Sequence, residues 1–452
     1  MKFTSSYLSV VLFTTGIYAT NVHADELSPN IIEKNLVELT IPGVSPWSDI
    51  RKKRVAELLP TAMDMTKISN WLIVCRENDN DPLAIHVGCE NAGGTAVVLF
   101  SRTNSGVFTR AFSPVSESTS LKELNTLDEV IDVGKTDSAI HAAAQWLKAQ
   151  NVQDEIAVNS FSENPQSDGL SHSQYISVIN ALKGTDIQLV SAEPLINYWL
   201  ARKLPEEVAI MKKAASVTSS WEYEAYQSVV PGVTTDKDIA SFLKQKIADA
   251  GVQDGWSPDQ NPAVNSGPDR GHSHPTNRVI QAGDIIQIDF GIRVFDQWVT
   301  DIQRFAYVLR KGENAAPKDM QHAWDSALAG SQAAFAAMKP GVTGRSVHKA
   351  QQVVMEASGS LPVMWSTGHP VGYVAHDTGP NLGIRATSNQ KLDIGMTFAY
   401  DGFYSWFYPG SNKQKTKTIS VEEMVVITKD GAEFLTPPQQ SLILIPSKTN
   451  SH

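Results

Sequence analysis

The sequence predicts an α/β domain followed by an α+β domain that carries an internal pseudo-two-fold repeat. Three observations carry this prediction. Strand-like and helix-like patterns alternate between residues 50 and 200. A Pro-Gly-Val-Thr segment recurs, at Pro231–Thr234 and Pro340–Thr343, with the same order of elements around it. The stretch Gly283–Arg304 has two β-rich arms, Ile285–Val294 and Trp298–Leu309, about a short polar tip, and each arm bears an acid where a strand ordinarily places an apolar residue.

With 452 residues, 42% hydrophobic and 19% charged, the composition is globular and the length suits two domains. Residues 1–24 read as a signal peptide: Lys2 is a basic start, Tyr7–Ala19 is mostly apolar, and Val22-His23-Ala24 offers a small-residue cleavage site. That run is too short to span a bilayer as a helix, and no later segment approaches the length. The expectation is an exported protein, periplasmic or secreted, with no membrane insertion once the signal is removed. A net charge of −10 without a Lys/Arg stripe argues against a nucleic-acid partner. Cys75 and Cys89 are the two cysteines. In an exported chain they can pair, but Cys75 ends the apolar run Trp71–Cys75 and equally suits a buried thiol, so both readings stay open.

Residues 25–200 form the expected α/β domain. Its strand candidates are Trp71–Cys75, Thr95–Phe100, Glu155–Asn159 and Ile187–Ser191. Helices are expected over Asp137–Ala149, begun by Thr136-Asp137, and over His172–Lys183, closed by Gly184. No nucleophile elbow, phosphate loop or metal-spaced cluster occurs there, and His86, His141 and His172 are scattered. The second domain, 201–452, begins where Pro205-Glu206-Glu207 opens a long helix, with proline in its first turn and acids at its positive end.

In that domain each Pro-Gly-Val-Thr follows a helix-like run, Glu207–Ser228 or Ser326–Met338, and precedes another, Asp236–Ala250 or Ser346–Ala357. A loop with two histidines comes next, His272/His274 and then His369/His376. After it, a glycine leads a strand that reaches an acid six residues on, Gly283 to Asp289 and Gly395 to Asp401. Repeats of this kind pack about a pseudo-two-fold axis, and a site near it draws equivalent residues from each half.

If the hairpin turn centres on Phe295, Asp289 and Asp301 face each other with their carboxylates on one side. Two solvated acids on an exposed sheet would read the same way. The second copy weighs against that, because Asp401 mirrors Asp289 and Thr418–Ile427 supplies a mate for Asp301. Alternation puts Glu422 on the inward face with Met424 and Val426, leaving Glu423 as an outward-facing acid. Four acids then converge near His369, which calls for metal. Oxygen-rich ligation with one imidazole suits two Mn²⁺, Co²⁺, Fe²⁺ or Zn²⁺ ions and the hydrolytic chemistry such pairs support.

At these residues the chain resembles the pita-bread metallopeptidases, which include methionine aminopeptidases, Xaa-Pro aminopeptidases, prolidases and creatinases. The resemblance rests on Asp289 and Asp301 within Asp-Phe-Gly…Thr-Asp-Ile-Gln-Arg, on Gly-His369-Pro-Val-Gly-Tyr-Val-Ala-His376-Asp, on Gly-Met-Thr-Phe-Ala-Tyr-Asp401 and on Val-Glu422-Glu. It covers roughly residues 205–440, and the domain before it resembles that of the Xaa-Pro aminopeptidase, prolidase and creatinase branch. It implies an α+β pita-bread catalytic domain in which Asp289, Asp301, His369, Asp401 and Glu422 hold two divalent ions. Asp301 and Glu422 would bridge both, Asp289 would serve one, and His369 with Asp401 the other. His272 would help hold and polarise substrate, and His376 would face the scissile amide or the tetrahedral intermediate. Glu422 would also pass a proton from water to the leaving amine. His274 reads as a loop residue. Tyr373, Tyr400, Phe403 and Trp406 lie close enough in sequence to be candidate pocket walls, or plain core.

The chain departs from the family pattern in three places. Its first two Asp ligands are 12 residues apart instead of 11, which a tip at Val294–Asp296 absorbs. Asp401 stands where the family has Glu, one carbon–carbon bond longer, so the strand sits closer or the ion beside His369 is held more weakly. Ser420 stands where the family's peptidases often carry Arg, which weakens the case for a strict dipeptidase. The resemblance implies cleavage of an N-terminal residue from Xaa-Pro peptides, and a dimer or tetramer formed through the first domain. Alternatives are a prolidase-type dipeptidase, a creatinase-like metal-free hydrolase, and a binding protein that keeps the fold without catalysis.

Overall fold

The structure is a computed structural model that describes residues 45–134, 136–152, 155–162 and 164–447. The expected signal peptide lies outside them. A first, six-stranded sheet is built from β1 (Asn70–Arg76), β2 (Thr95–Thr103), β3 (Gly106–Pro114), β4 (Glu129–Val133), β5 (Ile156–Val158) and β6 (Leu189–Ser191), in the order β4-β3-β2-β1-β5-β6. The four expected strands are β1, β2, β5 and β6. β3 and β4 lie toward one edge, where exposed positions interrupt the apolar pattern. Helices α1 (Ala139–Ala149) and α2 (His172–Ala181) pack on this sheet. Ser138, not Thr136-Asp137, caps α1, its side chain accepting from the His141 backbone N–H. Cys75 and Cys89 form a disulfide, with Cα atoms 6.2 Å apart.

Helix α3 (Glu193–Ala201) leads to α4 (Pro205–Gln227), which starts with proline in its first turn as expected. Residues at the expected boundary are pinned to the second domain, since the Lys203 N–H donates to the Gly395 carbonyl at 2.8 Å. One apolar cluster runs unbroken from Trp71 through Trp199 and Met211 to Ile288 and Trp298, so the two halves share a core.

The second sheet has eight strands: β8 (Ala263–Asn265), β9 (Ile285–Phe290), β12 (Ile302–Val308), β13 (Gly368–Pro370), β14 (Thr397–Phe407), β15 (Thr416–Thr428), β16 (Gly431–Phe434) and β17 (Ile443–Ile445). Its main path is β13-β14-β15-β12-β9-β8. The order is symmetric about the β15–β12 junction, which is where the repeat axis passes. β7 (Gln253–Asp254), β10 (Ile292–Val294) and β11 (Trp298–Val299) form a separate three-stranded sheet.

The Pro-Gly-Val-Thr repeat has a physical role in each copy. Gly232 and Gly341 take φ of 80° and 85°, a left-handed conformation that favours glycine, and the following helices are capped by the repeat's own threonine in the second copy and by the threonine just after the repeat in the first. Thr235 caps α5 (Asp236–Ala250) and Thr343 caps α7 (Gly344–Ala357). The helix expected at Ser326–Met338 is α6 (Lys318–Ala337), which starts eight residues earlier. It lies so close behind β14 that a Cβ on Gly402 would stand 2.1 Å from the Ala327 carbonyl oxygen.

Helix α4 covers the same back face of the sheet beside β12. There Arg304, fully buried, pairs with the Glu423 carboxylate through Nη1 and Nη2 at 3.1 and 3.0 Å. Glu423 is therefore not the outward-facing acid expected: it sits on the opposite face from Glu422 but is only 2% exposed. Its oxygens also accept from the Thr436 hydroxyl and the Gln439 N–H. Arg304 Nη1 donates further to the Glu422 carbonyl at 3.1 Å, which ties β12 to β15 at the junction. Removing one partner strands a buried charge, so Glu423→Ala is expected to lower unfolding free energy by about 3–5 kcal/mol. Urea denaturation measures this, and an unchanged midpoint would mean that the pair does not hold the sheet.

Candidate active site

One row of residues crosses the front face of the second sheet. Asp289 on β9 is opposite Gln303 on β12, Gln303 is opposite Glu422 on β15, and Glu422 is opposite Asp401 on β14. Directly opposed side chains have Cβ atoms about 4.5–5.5 Å apart. The repeat partner of Glu422 in this register is Gln303 and not Asp301.

The hairpin register differs from the expectation by one step. Val294 pairs with Trp298, so the tip is Phe295–Gln297 and centres on Asp296. Phe295 and Asp296 both take positive φ, 53° and 59°. Asp301 falls in the break between β11 and β12, diagonal to Asp289 instead of opposite it. The two acids still meet, because residues two apart on a strand share a face. Carboxylate oxygens of Asp289, Asp301 and Glu422 lie within 4.8 Å of one another, and so do donor atoms of Asp301, His369 and His376. Asp401 stands in the row but belongs to neither group.

His369 on β13 presents Nε2 to Asp301 Oδ2 at 3.7 Å, while its Nδ1 bonds the Pro370 carbonyl at 3.1 Å. The loop to His376 folds back through the Asp377 N–H to the Pro370 carbonyl, 2.9 Å, and the two imidazoles meet edge to face at 4.2 Å. Asp377 fixes the loop by accepting from the Tyr373 and Thr378 N–H groups and from buried Lys203. His272 reaches the site from the other side, its Nδ1 3.2 Å from Asp289 Oδ2. Its loop is held by Asp269, which accepts from the Thr418 N–H and from the Thr416 and Thr418 hydroxyls.

All four carboxylates are at most 8% exposed. Burial, then the charge of the neighbouring acids, holds Asp301, Asp401 and Glu422 well above the usual carboxylate range. Burial, then the neighbouring His376, pushes His369 down to about 3, keeping it neutral and able to act as a ligand. The hydrogen bond to Asp289 raises His272. Asp401 Oδ1 and Glu422 Oε2 are buried with no hydrogen-bond partner. Orphaned carboxylate oxygens beside like charges fit a divalent cation, which would supply what the protein does not.

A cavity of about 650 Å³ opens over the row. Asn164, Glu193 and Asn197 of the first domain form one wall, and Met364, Trp365 and Phe403 form an apolar one. Of the candidate aromatics only Phe403 lines the cavity. Tyr400 is opposite Glu423 and faces the core, and the buried Tyr373 hydroxyl donates to Glu207. Trp406 packs beside Tyr404, and His274 bonds the Asp259 carbonyl in an exposed loop. Ser420 donates to Gln303, which also accepts from Gln287, so a neutral network occupies the place of the missing arginine. Gln303 was not singled out from the sequence, since a neutral residue in a strand carries no signal. Arg385 was also missed. It is the one Lys or Arg in the lining, with no hydrogen-bonded partner for its guanidinium among the described residues.

Residues 209–429 match the model of metallopeptidase family M24. This stretch, just under half of the chain, is similar to that family. Among curated relatives, a probable dipeptidase PepE of Mycobacterium tuberculosis is 28% identical over 244 residues, 53% of this chain and 60% of the relative. An uncharacterized peptidase YqhT of Bacillus subtilis is 25% identical over 63% of this chain and 74% of its own length. The X-Pro aminopeptidase structure from Thermotoga maritima superposes with a TM-score of 0.65 at 20% identity, covering 85% of this chain and all of that one. The pita-bread fold of the M24 domain is thus shared, first domain included. It is shared as well with the N-terminal domain of FACT complex subunit SPT16 from chickpea, TM-score 0.63 at 15% identity over 88% of this chain and 99% of that one. Fold alone therefore leaves function to the site.

The raised carboxylates set a pH dependence for the metal-stripped protein. Its native state holds protons that the unfolded chain releases, so stability falls as pH rises from the ordinary carboxylate range toward the raised folded values. Divalent metal bound to the native state replaces those protons and removes the slope. Thermal unfolding at about pH 5 and about pH 8 should show a larger metal-induced rise in Tm at the higher pH. Equal rises, or none, would mean that these acids do not share a cation.

Proposed function

We propose that the protein is a metal-dependent exopeptidase that releases the N-terminal residue of short Xaa-Pro peptides. The observation that carries this reading is the row of buried carboxylates with His369 at the base of a cavity of about 650 Å³, a size that takes a few residues and no folded chain. Asp289, Asp301, His369, Asp401 and Glu422 are the residues to hold two divalent ions, with Mn²⁺, Co²⁺ and Zn²⁺ as candidates. Bound metal would supply Lewis acidity and make water nucleophilic near neutral pH.

The protein's own groups supply the rest. Glu422 accepts the proton from water and returns it to the leaving amine. Glu193 on the first-domain wall brings a carboxylate to the cavity that suits a substrate ammonium. His272, held through Nδ1 by Asp289 and pushed up by that hydrogen bond, is placed to meet a peptide carbonyl. Phe403 and Trp365, with ring centroids 6.2 Å apart, offer an apolar wall for a proline ring. Solved structures of this fold include an X-Pro aminopeptidase and an Xaa-Pro dipeptidase. The Cys75–Cys89 disulfide supports export to an oxidising compartment.

Arg385 favours a second reading. Although Ser420 brings no cation, the free guanidinium of Arg385 lines the same cavity and suits a substrate carboxylate. That is the requirement of an Xaa-Pro dipeptidase, and dipeptidases stand among the relatives.

Chelation is expected to abolish hydrolysis and Mn²⁺, Co²⁺ or Zn²⁺ to restore it in part; full activity in stripped protein would overturn the reading. On Xaa-Pro, Xaa-Pro-Yaa and their Ala counterparts, kcat/KM should fall at least about tenfold when Ala replaces Pro, a difference of about 1.4 kcal/mol. Indifference to Pro would end the proline assignment. Arg385→Ala should lower kcat/KM on the dipeptide far more than on the longer peptide, and equal losses would remove the case for a dipeptidase.

A further inference from the structure

The donor atoms at the cavity floor form two groups of different chemistry. Asp289, Asp301 and Glu422 offer only oxygen, whereas Asp301, His369 and His376 offer one carboxylate and two imidazoles. Asp301 is common to both. We propose that His376 is a ligand of the second metal position in this chain, taking the place that Asp401 is too short to fill, and that this position prefers Zn²⁺ or Co²⁺ to Mn²⁺. The inference rests on the metal-dependent reading above and goes beyond it in the ligand set and the metal.

Three observations carry it. First, the sheet prevents Asp401 from advancing. β14 and β15 pair continuously from Thr397 opposite Val426 to Phe407 opposite Thr416, so the Asp401 Cα is fixed opposite Glu422. An aspartate there reaches about 1.5 Å less far than a glutamate. Its carboxylate oxygens fall outside both groups of donor atoms.

Second, the histidine loop is fastened with His376 turned toward His369. The Asp377 N–H closes the loop onto the Pro370 carbonyl, and the Asp377 carboxylate bonds two backbone N–H groups and Lys203. Holding a ligand's neighbours in this way orients it before metal arrives. Third, the bond from His369 Nδ1 to the Pro370 carbonyl leaves Nε2 with its lone pair toward Asp301. The 3.7 Å between His369 Nε2 and Asp301 Oδ2 is close to the ~3.3 Å between two ligands of a tetrahedral zinc. Two imidazoles with a carboxylate form a set that zinc and cobalt favour, while the all-oxygen group suits manganese.

His376 could instead meet only substrate, and hydrolysis would fall on its removal in either case. The test therefore reads metal. Full-length protein is stripped, reloaded with Zn²⁺, and followed by titration calorimetry, metal content and zinc-edge X-ray absorption. The wild-type protein should bind two ions per chain, with two imidazoles counted. His376→Ala, and His376→Gln as a second variant of this exposed residue, should weaken the second event at least about tenfold and leave one imidazole. Asp401→Ala should keep both ions. Loss of the second ion from Asp401→Ala with its retention in both His376 variants would overturn the inference and leave the metal-dependent reading intact. A wild-type protein that binds no divalent ion would overturn both.

Discussion

Like charges buried on one side of a sheet repel, and much of this structure answers that repulsion. Asp289, Glu422 and Asp401 stand in one cross-strand row with Asp301 diagonal to it, all with little access to water. In water such a pairing costs little; in a buried site it costs several kcal/mol unless protons or a cation intervene. The opposite face of the same strands provides rigidity. Arg304 and Glu423 neutralise each other there, and Arg304 also holds the Glu422 carbonyl. The front can therefore be strained electrostatically because the Arg304–Glu423 pair ties the strands together from behind.

The first domain takes part in the same arrangement. Buried Arg54 reaches across to Glu207 at 2.6 Å, and Glu207 accepts from Tyr373 and from Trp298 Nε1. Tyr373 belongs to the histidine loop and Trp298 to the hairpin that leads to Asp301. Gln166 bonds Asp377, and Asn164 bonds Thr378, next to that loop. These contacts give the domain a positioning role as well as a cavity wall. A shift of the domain would carry the loop with it, since the apolar core between them is continuous.

A good part of this was legible in the chain. The repeat was readable because its turns need specific residues: glycine for positive φ in both copies and, in the second, threonine to cap a helix. Long helices such as α4 and α5 follow from period and caps. The acids were readable because carboxylates in β-rich arms violate the ordinary pattern. The first domain was only half legible, since β3 and β4 are short of apolar signal. Gln303 and Arg385 were missed because nothing local distinguishes a glutamine or an arginine that lines a cavity from a solvated one.

By itself, the sequence determined which carboxylates and imidazoles stand out from the strand pattern, the repeat that doubles them, and the face on which Glu422 points. These are local properties, set by residue type, period and turn geometry. Tertiary structure decided what depends on register. It placed Gln303 and not Asp301 opposite Glu422, buried Glu423 against Arg304, turned Tyr373 away from the cavity, and set His376 beside His369. Strand pairing has a period of two and a hairpin tip can gain or lose a residue. A single step in register therefore moves each partner without changing the pattern that a reader of the chain can see.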